Sequence, residues 1–431
     1  MKNKTDVIVV GGGPAGISAA VTIARAGKSV ILIERGNFSG SKNMFGGAIY
    51  VQPTKEIFPN FEQSAPIERK TVIHKYLMLT KDDAVGISYF DKKSEVNSYS
   101  VIRAKFDRWM AQEAQKEGVV LVTETVVKDL LIEENKVVGV ITELEEYYSD
   151  IVILADGVNS LLAKKLGLRK EIKPKDVALG VKEVIKLSKE KIEERFNLED
   201  GEGSIYEIFG EPMLGMLGLG YVYTNKESVS IGLGVGLDEL AKRNLKPYEL
   251  LDQLKSHPRL EPLLKDGELV EYSAHLIPEG GFNKIPKLFS DGVMIAGDGA
   301  MLVNNLHWEG TNLAMISGKL AGETAIEALT KGDFSANMLA LYQKKLENSF
   351  ILKDLKSYKN LMNIIHDRAE SFLGYYPEKI ASFFKMFTTV DSIPKRDKYR
   401  SFIKSIFTDR SISELFKDFV NIVKLMLGVL K

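Results

Sequence analysis

A glycine-rich turn between an apolar strand and an alanine-rich helix constrains this chain more than any other feature. Asp6-Val7-Ile8-Val9-Val10 shows no polar–apolar alternation, the pattern of a short strand buried on both faces of a parallel sheet. Gly11-Gly12-Gly13-Pro14-Ala15-Gly16 follows at once, and a helix-forming run from Ile17 to Ala26 stops at Gly27. Ser29-Val30-Ile31-Leu32-Ile33 is a second strand, closed by Glu34-Arg35. In this arrangement Gly11 permits the tight turn, Gly13 lets the backbone approach a pyrophosphate, and Gly16 lets helix and strand pack closely. Glu34, 23 residues after Gly11, is placed to accept hydrogen bonds from ribose hydroxyls. The pattern predicts a dinucleotide held at a helix N-terminus, where backbone amides and the helix dipole favour phosphate.

A length of 431 residues predicts two or three packed units. Lys+Arg 58 balances Asp+Glu 58, so no global basic field exists to hold a nucleic acid, and no nucleic-acid partner is expected. The absence of cysteine removes disulfides, thiolate catalysis and Cys-held zinc or iron–sulfur clusters from this chain. With five histidines, no metal site is expected. Two lysines and a four-residue apolar run at the start do not make a secretory signal. No apolar stretch reaches the roughly 18 residues of a membrane-spanning helix, so a cytoplasmic location is expected.

Three further segments decide which dinucleotide is bound. Val101 to Met110, carrying Arg103, opens a helix that runs to about Lys116; Ile151 to Ala155 is a buried strand ending in Asp156-Gly157; and Gly292 to Ala296 is another, ending in Gly297-Asp298. In this order and spacing they resemble the glutathione-reductase-type FAD fold of the p-hydroxybenzoate-hydroxylase-like superfamily. The resemblance implies an α/β chain with a Rossmann-like FAD-binding fold and noncovalent FAD. It implies that Asp298 accepts from a ribityl hydroxyl, that Arg103 lies near the pyrophosphate, and that Asp156-Gly157 caps a strand beside the phosphates. Pro14, Ala15, Arg35, Gly46, Gly47, Val127 and Gly297 complete the implied contacts. Gly310-Thr311-Asn312 opens a helix from Leu313 to about Thr330 whose amides would face the flavin N1–C2=O edge, where charge accumulates on reduction. Gly318 and Gly322 on that helix suit close packing against the sheet.

Nearly the whole chain resembles the flavoprotein part of electron-transfer-flavoprotein:quinone oxidoreductases, the FixC/EtfC family of bacteria. The resemblance is carried by Gly40 to Tyr50, Leu217 to Asn225, Ser228 to Gly236, Ile277 to Phe282 and Trp308 to Met315. Residues 1–170 and 281–335 are then two parts of an FAD-binding domain, 171–280 an inserted α+β quinone or substrate domain with an antiparallel sheet, and 336–431 a C-terminal helical region. Alternation and glycines in the insert predict antiparallel strands that admit a flat apolar ligand, with Gly218, Gly220, Tyr221, Tyr223 and Gly234 as the quinone pocket.

The complete family form carries a ferredoxin-like [4Fe-4S] domain, which a chain without cysteine cannot hold; a separate small ferredoxin-like subunit is therefore expected. The implied route runs from reduced electron-transfer flavoprotein (α and β subunits), through that subunit and FAD, to membrane quinone. A geranylgeranyl-reductase-like or flavin monooxygenase-like enzyme, and a flavin-carrying docking subunit without turnover, are the alternatives. The 3/4 spacing of Ile412, Leu415, Phe416, Phe419, Val423, Met426, Leu427 and Leu430 makes an amphipathic helix suited to a partner or to the inner face of the cell membrane. Quinone reduction takes up protons, and His307 and Glu309, just before the flavin-facing helix, are the candidate donors; Tyr221 and Tyr223 are further ones.

Overall fold

The computed structural model describes residues 4–42, 47–92 and 97–429, which pack as two compact units. The first comprises Met1–Thr71, Glu95–Leu179 and Ser273–Lys359; the second comprises Val72–Ser94, Gly180–Tyr272 and Asn360–Lys431.

The first unit is built on a parallel sheet. Strand Lys4–Val10 runs between Val30–Ile33 and Glu146–Leu154, with Val120–Val122 beyond the former and Val293–Ile295 beyond the latter. In register, Val7 lies opposite both Val30 and Ile151, and Val152 opposite Val293. The non-alternating apolar runs are explained by full burial: Val7, Ile8, Val9, Ile151, Val152, Ile153 and Leu154 are all inaccessible to solvent. An antiparallel pair, Val127–Glu133 with Lys136–Thr142, joins the start of Glu146–Leu154.

Helix Pro14–Arg25 and helix Thr311–Lys331 pack directly on one another. Their contact needs Gly318, where a Cβ would overlap the Ala15 carbonyl oxygen, and Gly322, where it would stand 2.9 Å from the Ala19 carbonyl oxygen. These two glycines thus admit the first helix and not the sheet, the partner expected from sequence. The longer helix also starts two residues earlier than its sequence pattern predicts.

In the second unit, strands Glu202–Gly210, Gly218–Thr224 and Ser228–Gly236 form the expected antiparallel meander. Residues 73–90 form a hairpin in which Tyr76 pairs with Ile87 and His74 with Tyr89. Helices Lys189–Phe196 and Pro247–Ser256 cover one face of the meander, Phe196 meeting the Tyr206 ring edge-on at 5.5 Å. The C-terminal region is helical, with Leu361–Asp367, Tyr376–Thr388, Lys395–Asp409 and Ile412–Val429 as its helices. Asp418, fully buried, holds the last of these by accepting from Tyr376 (3.1 Å) and Arg410 (3.2 Å), with Arg368 at 3.6 Å. Among the described residues, no helix is long and apolar enough to cross a membrane.

Two substitutions test these contacts by urea denaturation. Gly318→Ala forces two backbones apart and is expected to destabilise the protein by about 2–3 kcal/mol. Asp418→Ala leaves two partly buried guanidinium groups without their buried carboxylate and is expected to cost about 3 kcal/mol.

Candidate functional site

The parallel strands end where the sequence places its glycines and acids. Gly11 turns at φ +107°, and a Cβ there would overlap the Ala155 carbonyl oxygen, so the loop runs flush against the strand that ends in Asp156-Gly157. Gly297, at φ +65°, brings the last parallel strand against the first helix, because its Cβ position is 2.9 Å from the Ala15 Cβ. The Ser317 hydroxyl fixes that turn by accepting from the Gly297 amide at 3.0 Å. Glu34 closes the loop from the other side, accepting from the Gly12 and Gly36 amides at 2.8 and 2.6 Å. The Thr125 amide donates to the Glu34 carbonyl at 3.1 Å, which sets the start of the Val127 strand beside that turn. Gly47 accepts from Val101 through its carbonyl at 2.8 Å, Arg35 is exposed, and Gly46 lies outside the described residues.

Charge is concentrated at the same place. Arg103 is buried and makes two hydrogen bonds of 2.8 Å to Asp107, while its remaining nitrogen reaches the Thr311 hydroxyl at 3.3 Å. Burial opposes its charge, but Asp107 and Asp298 outweigh it and hold the pKa above the ordinary arginine value. Burial pushes Asp298 up to about 6, against the pull of Arg103 and Arg169. Burial likewise raises Asp156, although the Ser160 hydroxyl donates to it at 2.9 Å and Arg169 is near. Arg169, lowered by burial, also donates to the Val158 carbonyl at 2.5 Å.

These residues fit a dinucleotide with a polar tail. Helix Pro14–Arg25 has no side-chain cap, and neither does helix Thr311–Lys331, whose N-cap is Gly310. Several buried polar atoms nearby have no partner among the described residues: the hydroxyls of Ser39 and Ser41, both side-chain polar atoms of Asn305, and the side-chain oxygen of Asn312 in the first turn of helix Thr311–Lys331. Bare helix amides and orphaned donors are what phosphate, ribityl and pyrimidine groups would satisfy.

The other candidates divide. His307 is exposed and packs on the Tyr358 ring at 5.2 Å, while Glu309 accepts from the Asn312 amide at 3.2 Å. In the meander, Tyr221 and Tyr223 share one face and stack at 4.7 Å, with Gly234 on the neighbouring strand of that face. Gly218 and Gly220 lie on the other face, where a Cβ on Gly220 would stand 3.3 Å from the Ile208 and Leu254 side chains, so its absence admits protein side chains. Sequence reasoning missed Asp107 and Arg169, which carry no motif of their own. It also missed His275, kept below the ordinary histidine value by burial and then by Arg103 and Arg35, and Glu279, raised to about 8 by burial.

Comparison with known proteins agrees with this geometry. Residues 6–161 match the model of FAD dependent oxidoreductases, 177–277 that described as ETF-QO, ubiquinone-binding, and 361–427 the ETF-QO/FixC family C-terminal domain. The chain is 41% identical to protein FixC of Azorhizobium caulinodans over 422 residues, covering 96% of this chain and 97% of that one. It is 43% identical to FixC of Azotobacter vinelandii over 97% and 98% of the two chains. A probable electron transfer flavoprotein-quinone oxidoreductase of Escherichia coli, YdiS, is 39% identical over 91% and 92%. In fold, the chain is similar to a geranylgeranyl bacteriochlorophyll reductase-like protein of Thermoplasma acidophilum (TM-score 0.70, 20% identity, 98% and 100% covered) and to the flavin-dependent brominase Bmp2 (TM-score 0.64, 17%, 94% and 100%).

Asp298 yields a two-sided prediction. Its folded pKa lies above the ordinary 3.8, so the penalty of burying its charge is absent below about 4 and complete above about 6. Asp298→Asn should therefore stabilise FAD-free protein at pH 7.5 by about 3 kcal/mol, and not at pH 3.5. The same change is expected to weaken FAD binding about tenfold, measured by recovery of free-flavin fluorescence.

Proposed function

The chain belongs to the ETF-QO/FixC family and is an FAD-dependent oxidoreductase, and from that premise we propose that it passes electrons from a reduced electron-transfer flavoprotein to a membrane quinone. The observation that carries this reading is the match of residues 177–277 to the ubiquinone-binding model, within a chain about 40% identical to FixC proteins from end to end. FAD, when bound, supplies the redox chemistry. The chain's own residues bind and orient it. The turn Gly11 to Gly16 would set the pyrophosphate against the uncapped start of helix Pro14–Arg25, with Gly13, Ala15 and Gly16 as amide donors, Gly11 turning the chain and Pro14 presetting the first helical residue; Glu34 would take the adenosine ribose and Asp298 the ribityl chain. Arg103, tied to both Asp107 and Thr311, keeps positive charge beside the phosphates and fixes the start of helix Thr311–Lys331. Gly310, Thr311 and Asn312 would offer that helix's first amides to the pyrimidine edge of the flavin.

Electrons enter through a separate small ferredoxin-like subunit, because this chain has no thiolates to hold a cluster. The donor to that subunit is the αβ electron-transfer flavoprotein. The quinone side belongs to the second unit, with Tyr221, Tyr223 and Gly234 as contacts. Delivery to a lipid-soluble acceptor is served by peripheral attachment to the inner face of the membrane. Exposed Phe384, Phe387, Ile403, Phe407, Phe416, Phe419, Met426 and Leu427 on the C-terminal helices supply apolar contact, and Lys385, Lys395, Lys398 and Arg400 lie among them in sequence.

Two measurements test this reading. Dithionite-reduced protein should be reoxidised within the mixing time of a manual assay by ubiquinone-1 under anaerobic conditions. Inertness toward quinones together with NAD(P)H-driven oxygen uptake, or saturation of a geranylgeranyl lipid, would replace it with one of the alternatives. The chain should also float with vesicles containing anionic phospholipid, and Phe416→Ser with Phe419→Ser should reduce the floated fraction severalfold.

A further inference from the structure

The two faces of the meander differ in chemistry. Tyr206, Ile208 and Gly220 look toward the helices that cover one face, where Phe196 and Leu254 meet them. The opposite face carries Glu207, which lies directly across from Tyr221, and Ile205, across from Tyr223. Gly232 stands opposite Tyr221 on the next strand, and its missing Cβ is what leaves room for the Tyr221 hydroxyl. Tyr223 stacks on Tyr221 with ring planes 21° apart. From the other side, the Tyr76 hydroxyl hydrogen-bonds the Glu207 carboxyl. The second carboxyl oxygen, Oε2, is buried and has no partner among the described residues. A half-satisfied acid beneath stacked aromatic rings costs stability, and a ligand carbonyl is the group that would complete it.

We propose that Glu207, positioned by Tyr76 and walled by Tyr221 and Tyr223, is the acid that hydrogen-bonds a quinone carbonyl oxygen and donates one of the protons of quinol formation. This rests on the quinone reading above. Reduction of the quinone takes two electrons and two protons. Reduced FAD, when bound, would supply both electrons and one proton, and the other proton would leave the Glu207 O–H as the quinol O–H forms. The resulting carboxylate accepts from Tyr76 until a solvent proton restores it.

Burial pushes Glu207 up to about 7, so the acid form is well populated at neutral pH. The other titratable groups around it do not replace it. Tyr221 and Tyr76 are raised by burial, and His74, two positions before Tyr76 on the same strand face, is held neutral by burial. Lys182 and Glu271, on strands further along the sheet, pair with each other at 3.1 Å. In the turn Ser371–Tyr375, which packs against the Glu207 strand, Tyr375 donates to the Ile406 carbonyl at 3.3 Å and lies under Arg410. Glu211 stands just past the end of the Glu207 strand.

The test uses FAD-loaded full-length protein, ubiquinone-1 and the variants Glu207→Gln and Tyr76→Phe. For the wild type, the rate of quinone reduction should fall as pH rises through about 7. Glu207→Gln should lose about 100-fold in rate and the pH limb with it, while ubiquinone-1 binding to the oxidised protein, read by fluorescence quenching, changes less than about threefold. Tyr76→Phe removes a donor to the carboxylate and should move the limb to higher pH. Thermal unfolding supplies a reading independent of turnover. A raised folded pKa penalises the ionised acid above about 7 and not below 4.5, so Glu207→Gln should melt higher than wild type at pH 8 and equally at pH 4. A Glu207→Gln protein with wild-type rate and limb overturns the proposal and leaves the quinone reading standing. If Glu207→Gln does not fold, an unmoved limb in Tyr76→Phe overturns it instead. A wild-type protein that neither binds nor reduces ubiquinone-1 overturns both readings.

Discussion

The contact between helix Pro14–Arg25 and helix Thr311–Lys331 is the constraint on which the first unit depends. Gly318 lies so close to the Ala15 carbonyl that no side chain fits between them. Residues just over three hundred positions apart are thereby locked at a fixed distance, and with them two uncapped helix N-termini. Strand ends at Val10, Leu154 and Ile295 then converge on one place, because each strand is parallel to its neighbour and buried on both faces. This geometry leaves amides with no partner inside their own helices, and an anionic dinucleotide is a ligand that would satisfy them.

Burying charge at such a place is expensive, and the first unit offsets that cost by pairing. Arg103 is held by two hydrogen bonds to Asp107, four residues on, so its cation is neutralised locally before it faces Asp298. Asp298 and Asp156 remain destabilised by burial even with Arg103 and Arg169 near. A ligand that donates hydrogen bonds to those carboxylates relieves the penalty, which makes cofactor binding and stability two aspects of one balance.

The second unit separates its tasks by face. One face of the meander is closed by helices; the other keeps ionisable and aromatic groups together. In the C-terminal helices the same principle operates in reverse: a buried Asp418 with two arginines fixes the inside, which leaves rows of Phe, Ile and Met turned outward. An apolar exterior held rigid by a polar interior is suited to lying on a surface and unsuited to a free helix.

Sequence alone determined what is local. The glycine turn, the buried strands, the acid at Glu34, the meander around Gly218 to Gly236 and the amphipathic C-terminal helix were all legible, because each is written in periodicity or in a backbone requirement that only certain residues meet. Tertiary structure decided what depends on neighbours distant in sequence. It assigned Gly318 and Gly322 to a helix and not to the sheet, gave Arg103 the partners Asp107 and Thr311, and turned Gly218 and Gly220 away from Tyr221 and Tyr223. It alone placed Glu207 across from Tyr221 and beside Tyr76, since a carboxyl's protonation is set by burial and cross-strand partners, and neither is encoded in the residues next to it.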